Sequence, residues 1–206
     1  SRQLTLGAHC WQAEAARFCN REELQAGPDS ARARLGLEGL EISRLSLLFP
    51  EGLAWNGSLE GEAALDWKNG QKPQLGLQLT TRKGGIGLEQ EDDEPLTLPY
   101  DRLALKVVTE DDRLRFRFET EAPHIGQGYI ESWLDPYSKP YQINGALVLE
   151  RVNLAIFKPF FPGMGHLSGE MNLAGGLSGS ITGPDFYGDF SLNSAEVAAR
   201  DAPLDL

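Results

Sequence analysis

The residues best able to do chemistry in this chain are two cysteines, three histidines, two Gly-Ser pairs and one acidic run. Cys10 and Cys19 have eight residues between them, and Gln12 to Arg17 is polar and Ala-rich enough to turn. If the flanks pair as an antiparallel hairpin, the two thiols approach disulfide distance. Closing so short a loop contributes about 2.5–3 kcal/mol on a chain-entropy estimate. A disulfide implies an oxidising compartment; the alternative is two unrelated buried thiols. His9, His124 and His166 are scattered singly, with no H-x-x-x-H or C-x-x-C spacing to make a metal site. Gly57-Ser58 and Gly179-Ser180 lack the strand-to-helix elbow of a nucleophilic serine. No Walker or dinucleotide glycine loop occurs. Glu89, Glu91, Asp92, Asp93 and Glu94 form an acidic run without the glycine-anchored order of a calcium loop, so it reads as a solvated loop. Asn56-Gly57-Ser58 matches the glycosylation sequon formally, but Asn-Gly there reads as a turn. Nothing here specifies an enzyme, a metal or a cofactor.

The elements that would position side chains are more informative than the side chains themselves. Residues 40–67 and 149–177 share a pattern: Leu-Glu, a short apolar stretch, an aromatic-Pro stop (Phe49-Pro50, Phe161-Pro162) and G-x-L-x-G. The two G-x-L-x-G motifs begin at Gly57 and Gly165. An internal repeat of this size suggests stacked similar units and not one catalytic pocket. Ile42–Phe49 and Val152–Phe160 cluster their apolar residues as short helices would. Ser43 and Asn153 are the candidate N-caps.

Between these segments, period-2 alternation dominates, as in Leu75-x-Leu77-x-Leu79 and Leu114-Arg115-Phe116-Arg117-Phe118-Glu119. Each such run is a strand with one wet and one apolar face, the antiparallel signature. Asn69-Gly70 signals a two-residue hairpin. Gly84-Gly85, the acidic run before Pro95, Glu110-Asp111-Asp112, Asp135-Pro136, Gly175-Gly176 and Gly183-Pro184 punctuate the rest. The chain therefore reads as all-β, with about a dozen strands of six to eight residues and one or two short helices. Strand-like patterns at Leu4-x-Leu6-x-Ala8-x-Cys10 and at Pro203-Leu204-Asp205-Leu206 favour open sheet edges and a fragment of a longer protein. The organisation is a single elongated β-domain over 1–206, with a cysteine hairpin at 1–22.

The apolar face holds many leucines: the chain has 31 Leu, 5 Val and 7 Ile. Glycines recur along it at Gly61, Gly145, Gly169 and Gly188, with Gly76 beside it. A Leu-lined, Gly-bent face suits a trough for something flexible and apolar; the other reading is an ordinary core. The lining candidates chosen by alternation are Leu59, Leu65, Leu75, Leu77, Leu79, Leu103, Leu105, Phe116, Phe118, Leu147, Leu149, Met171 and Leu173. The net charge of −11 disfavours nucleic-acid binding and electrostatic docking on anionic membranes. No apolar run approaches the length of a bilayer span, and no signal peptide is visible.

The run Leu173-x-Gly175-Gly176-Leu177-x-Gly179-x-Ile181-x-Gly183-Pro184, continued by Gly188-x-Phe190-x-Leu192 and closed by Ala202-Pro203-Leu204-Asp205-Leu206, resembles the strand repeat of the TamB family, of the AsmA-like group. Cys10-Trp11 with Cys19 is similar to a Cys-Trp…Cys element of that family. The resemblance implies a long curled β-sheet, or β-taco, whose concave face is a hydrophobic groove. It also implies an inner-membrane anchor in a Gram-negative bacterium, a periplasmic location and an outer-membrane barrel partner, TamA. The family is implicated in outer-membrane protein assembly and in moving phospholipid between membranes. The cargo it suggests is phospholipid acyl chains, or alternatively nascent outer-membrane β-strands added to a sheet edge. A plain structural spacer is the third reading.

Overall fold

A computed structural model describes residues 3–88, 95–122, 125–160 and 164–199. Thirteen strands make one antiparallel sheet: β1 (Leu4–Leu6), β2 (His9–Ala13), β3 (Ala16–Asn20), β4 (Leu24–Ala26), β5 (Ser30–Glu41), β6 (Leu53–Lys68), β7 (Gln74–Leu88), β8 (Leu96–Glu110), β9 (Arg113–Ala122), β10 (Gly126–Leu134), β11 (Ile143–Asn153), β12 (Met164–Ser180) and β13 (Gly183–Ala199). From β4 onward the sheet is a meander in chain order, with β1 beside β4. The β2–β3 hairpin attaches through β3 to β5, next to β4. Among the described residues the sheet does not close, and β1, β2 and β13 each lack a partner strand on one side. The Cys10–Cys19 disulfide joins directly opposed residues of the β2–β3 hairpin.

The principal strands are longer than the alternation alone predicts: β6 has 16 residues, β7 and β8 have 15 each, and β12 and β13 have 17 each. Gly84-Gly85 and Gly175-Gly176 lie inside β7 and β12 and do not turn the chain. Their glycines answer close approaches within the sheet. A Cβ on Gly84 would stand 2.1 Å from the Tyr100 hydroxyl, and one on Gly176 would stand 2.2 Å from the Tyr187 ring. A backbone that must pass under an aromatic ring needs glycine as much as a turn does.

The turns fall elsewhere. Asn69-Gly70 does turn the chain, the Gln71 N–H donating to the Lys68 carbonyl at 2.9 Å, but within a five-residue connection between Lys68 and Gln74. Two-residue connections come at Glu14-Ala15, at Ile181-Thr182 and at Asp111-Asp112, the last with φ of 48° and 65°. Both residues are left-handed, as a type I′ hairpin demands, and short Asp side chains tolerate that region.

The two short helices are 310 helices, η1 (Ile42–Leu48) and η2 (Leu154–Phe160). Ser43 does not cap η1; the cap position is Glu41, extended and without a side-chain capping bond. Asn153 does cap η2, its Oδ1 accepting the Ala155 N–H at 3.0 Å. Both helices lie where one long strand hands over to the next. The Phe161-Pro162 stop, His124, the acidic run at 89–94 and the Pro203–Leu206 pattern fall outside the described residues.

The buried core gathers on this helical side. Leu88, Leu98, Tyr100, Leu103, Ala122, Ile125 and Ala155 form one buried cluster, with Trp55, Phe118 and Ile156 packed on it. At its heart the Trp55 Nε1–H donates to the Tyr100 hydroxyl at 3.0 Å, and that hydroxyl donates to the Asn56 carbonyl at 3.0 Å. The Thr81 Oγ1 lies 2.9 Å away, placed to donate to the same oxygen. Every polar atom of the hub is thus paired inside an apolar surround.

Candidate functional site

Directly opposed residues of an antiparallel pair share a face, so the register decides what lines the sheet. One row runs Leu37, Gly61, Leu79, Leu105, Phe118, Ile130, Leu147 and Gly175 across eight strands. The row on one side of it is Leu35, Ala63, Leu77, Val107, Phe116, Ser132, Gly145 and Leu177. The row on the other is Leu40, Leu59, Thr81, Leu103, Thr120, Gly128, Leu149 and Leu173. Leu65 faces Leu75 in a further row, and Met171 sits between Val152 and Leu192. All thirteen candidate residues therefore fall on a single face. Gly76 falls on the other, between Ala64 and Val108.

That face is the inside of a curl. β7 lies four strands from β11, about 19 Å across a flat sheet. Ala155 is only two residues beyond the end of β11, yet it shares a buried cluster with Leu88 of β7 and Leu98 of β8. A seven-residue 310 helix rises about 14 Å, and η2 touches β7 as well as β12. The sheet must bend toward its apolar side to allow this. Burial then grades across the groove. Leu103 and Leu147 are 6% and 7% exposed near the helical side, whereas Leu75, toward the opposite rim, is 41% exposed. Leu59, Leu65, Leu77, Leu79, Leu105, Phe116, Phe118, Leu149, Met171 and Leu173 are half-buried. A closed core would leave such side chains dry on all sides; here a rim stays open.

The opposite, outer face carries the charge. Arg102 pairs with Glu119 at 3.1 Å and Glu121 at 2.9 Å. Arg117 pairs with Glu119 at 2.7 Å and Glu131 at 2.9 Å, and Arg115 with Glu131 at 2.8 Å and Glu110 at 3.2 Å. Arg117 stacks over the Tyr129 ring at 4.6 Å and Arg115 over the Trp133 ring at 5.4 Å. Burial pushes the Glu131 carboxyl up, but the two guanidiniums overcome it and hold it below the ordinary glutamate range. Glu119 is held down by Arg117 first and Arg102 second.

Sequence reasoning missed the aromatic start of the central row. Trp11 opposes Phe18, and Phe18 opposes Leu37. Their rings lie 5.7 Å apart and they extend the apolar face by two strands. Cys10 and Cys19, one residue away, therefore sit on the outer face beside Gly36. The Leu4-x-Leu6-x-Ala8-x-Cys10 alternation does not carry through, because the chain breaks strand at Gly7-Ala8 and Cys10 turns away from the face of Leu4 and Leu6. His9 stands edge-on to Trp11 at 4.9 Å, and His166 bonds the Ser168 hydroxyl at 3.0 Å. Among the described residues no three His, Cys, Asp or Glu side chains converge as a metal site, and no helix is long and apolar enough to cross a membrane.

Comparison with known proteins agrees with this architecture. The family profile described as "TamB, N-terminal domain" matches residues 1–192. The translocation and assembly module subunit TamB of Haemophilus influenzae is 21% identical over 207 aligned residues, which take in 99% of this chain and 16% of that protein. The chain thus spans about one-sixth of its relative's length. No solved structure matches. With a matching profile over nearly all its strands, the chain belongs to the TamB family, by its N-terminal domain.

Proposed function

We propose that this domain is a length of hydrophobic trough that shelters phospholipid acyl chains in the periplasm, between the inner and outer membranes. In this reading it serves a parent chain anchored in the inner membrane and partnered by the outer-membrane barrel protein TamA. The role is binding and not catalysis. The observation that carries it is the single apolar face, shared by all thirteen lining side chains and left half-open along one rim. Each methylene sheltered there contributes about 0.8 kcal/mol. Successive leucines offer nearly equal sites, so a chain binds and still slides. Headgroups stay at the open rim, where Leu75 is exposed.

The test is lipid extraction and mass spectrometry on the chain purified from the periplasm without detergent, beside folded Leu77→Arg. Near-stoichiometric phospholipid, lost in the variant, is the expected result. Equal lipid in both proteins, or none in either, sinks the trough.

One observation favours a second reading, edge addition of a nascent outer-membrane β-strand. Among the described residues β13 pairs with β12 alone, and Tyr187 and Phe190 on it are 62% and 56% exposed. Its unpaired edge can template another strand. A photocrosslinker at Tyr187 should then capture unfolded outer-membrane barrel protein in cells, and Leu77→Arg should not prevent it.

A further inference from the structure

We propose that the open rim of the trough is a headgroup station that accepts zwitterionic phospholipid over anionic phospholipid, with Lys72 and Asp112 as the residues that decide. This rests on the trough reading above and names the lipid class that such a trough takes. Three connections lie side by side at the rim: 69–73 after β6, 111–112 after β8 and 135–142 after β10. The apolar row next to them holds Leu65 and Leu75 on β6 and β7, and Leu114, Leu134 and Ile143 on β9 to β11. Amphipathic aromatics come beyond that row: Trp67, on the face of Leu65, and Tyr137, which is exposed. A charge pair stands beside them. The Lys72 Nζ lies 2.9 Å from an Asp112 carboxylate oxygen and 4.6 Å over the Tyr137 ring. Apolar, aromatic and charged groups thus follow one another as they do from the core of a lipid leaflet to its surface.

The pair matches a headgroup that carries one charge of each sign. Its two side chains are 47% and 54% exposed, and an exposed ion pair holds itself together weakly. A phosphate can take the Lys72 ammonium while the headgroup's own ammonium takes the Asp112 carboxylate and the face of Tyr137. Every charge keeps an opposite partner in that exchange. A headgroup with a phosphate and no ammonium satisfies Lys72 but sets its own charge against Asp112. It also meets Asp111 and Asp135, since the three connections hold these three acids against Lys72 and Lys139. The site is held ready as well. The Asp135 carboxylate accepts the Tyr137 N–H at 2.9 Å. The Ser138 hydroxyl donates to the Asp135 carbonyl at 3.0 Å and accepts the Gln142 N–H at 3.1 Å. A loop already ordered in this way loses little freedom when a headgroup arrives.

The experiment is binding of acyl-labelled lipids to the 206-residue chain, read by fluorescence. The probes are phosphatidylethanolamine, phosphatidylglycerol and diacylglycerol with the same acyl chains. The wild type should bind phosphatidylethanolamine about threefold more tightly than phosphatidylglycerol at low salt, and added salt should narrow the gap. Asp112→Asn, which keeps a side chain suited to the left-handed backbone there, should bring the two affinities together by weakening the first and strengthening the second. Lys72→Gln should weaken both phospholipids and leave diacylglycerol unchanged. Equal affinity of the wild type for the two phospholipids, or a preference that survives in folded Asp112→Asn, overturns the headgroup station. If all three lipids bind alike and Leu77→Arg releases them all, the trough stands without it. No binding of any lipid, diacylglycerol included, overturns the trough and its rim together.

Discussion

Gly39 and Arg151 occupy the same place in two strand–helix–strand units. Each is the third residue before a 310 helix, and each has a left-handed backbone, with φ of 66° and 52°. Each also marks an irregularity in register, between Leu37 and Leu40 in β5 and between Leu149 and Val152 in β11. A bulge adds twist and re-aims the chain beyond it. In both units that re-aimed segment is the 310 helix on the curled side. In the second unit, the Arg151 N–H is held by the Asn172 side chain at 2.8 Å.

The two positions should respond oppositely to substitution. Arg151→Gly relieves a left-handed conformation costing about 1–2 kcal/mol and gives back part of that in chain entropy. A net gain near 1 kcal/mol should raise Tm by about 2–4 °C. Gly39→Ala should lower Tm, since its Cβ would lie 2.5 Å from the Ala15 carbonyl oxygen. Thermal unfolding of both variants checks the pair. Equal losses in the two would mean that the Arg151 side chain contributes more than its backbone costs.

Tyr100→Phe should cost about 2 kcal/mol. The ring is 2% exposed, and its hydroxyl joins Trp55, Thr81 and the Asn56 carbonyl. Removing one oxygen strands several buried polar groups at once, which is dearer than losing one bond. The hub ties β6, β7 and β8 beside η2, so the loss should also raise amide exchange at Trp55 and Thr81. Urea unfolding with an unchanged m-value is the measurement. A cost below about 0.5 kcal/mol would show that water replaces the hydroxyl.

What was legible in the sequence was the period of two. The runs around Leu77, Leu105 and Phe118 alternate cleanly, so strand identity and the shared face follow from spacing alone. Glycine was not legible, because Gly84-Gly85 has the same composition whether it turns a chain or passes beneath Tyr100. The place of Trp11 and Phe18 on the apolar face was not legible, because the break at Gly7-Ala8 changes which residues face inward, and the pairing with Leu37 restores the count. The Arg115–Glu131–Arg117 chain was invisible for a related reason. Its members meet across β9 and β10, and register between strands is set by turns and bulges that composition does not fix.

Glu131 predicts an acid limb to stability. Its folded pKa lies below the ordinary value, near 4.3 for glutamate. The unfolded state therefore binds more protons than the folded state just below that pH. The contribution is complete above the unfolded pKa and is lost as pH falls from about 4.3 through the lower folded value. Glu131→Gln should be destabilised at pH 7 and should converge on the wild type as the pH falls through this window. Unfolding midpoints across that range test it. A constant gap at every pH would assign the loss to packing and not to the guanidinium pairs.

Removing the disulfide should loosen one corner and leave the sheet intact. Among the described residues β2 pairs with β3 alone, and β3 holds β5 over the four positions Arg17 to Asn20. Cys10 and Cys19 are nine positions apart, so the bridge contributes about 2.5 kcal/mol on a loop-entropy estimate. That energy acts on the local opening of β2, because a small edge unit can open without the long β6–β9 strands. In Cys10→Ser/Cys19→Ser, amide exchange should therefore accelerate over His9–Ala13 and stay unchanged over Leu103–Val107. The Trp11–Phe18 ring pair loses its fixed geometry, so Trp11 fluorescence should broaden and shift. Uniform acceleration through the whole sheet would show that the hairpin is integral to the curl and opens with it.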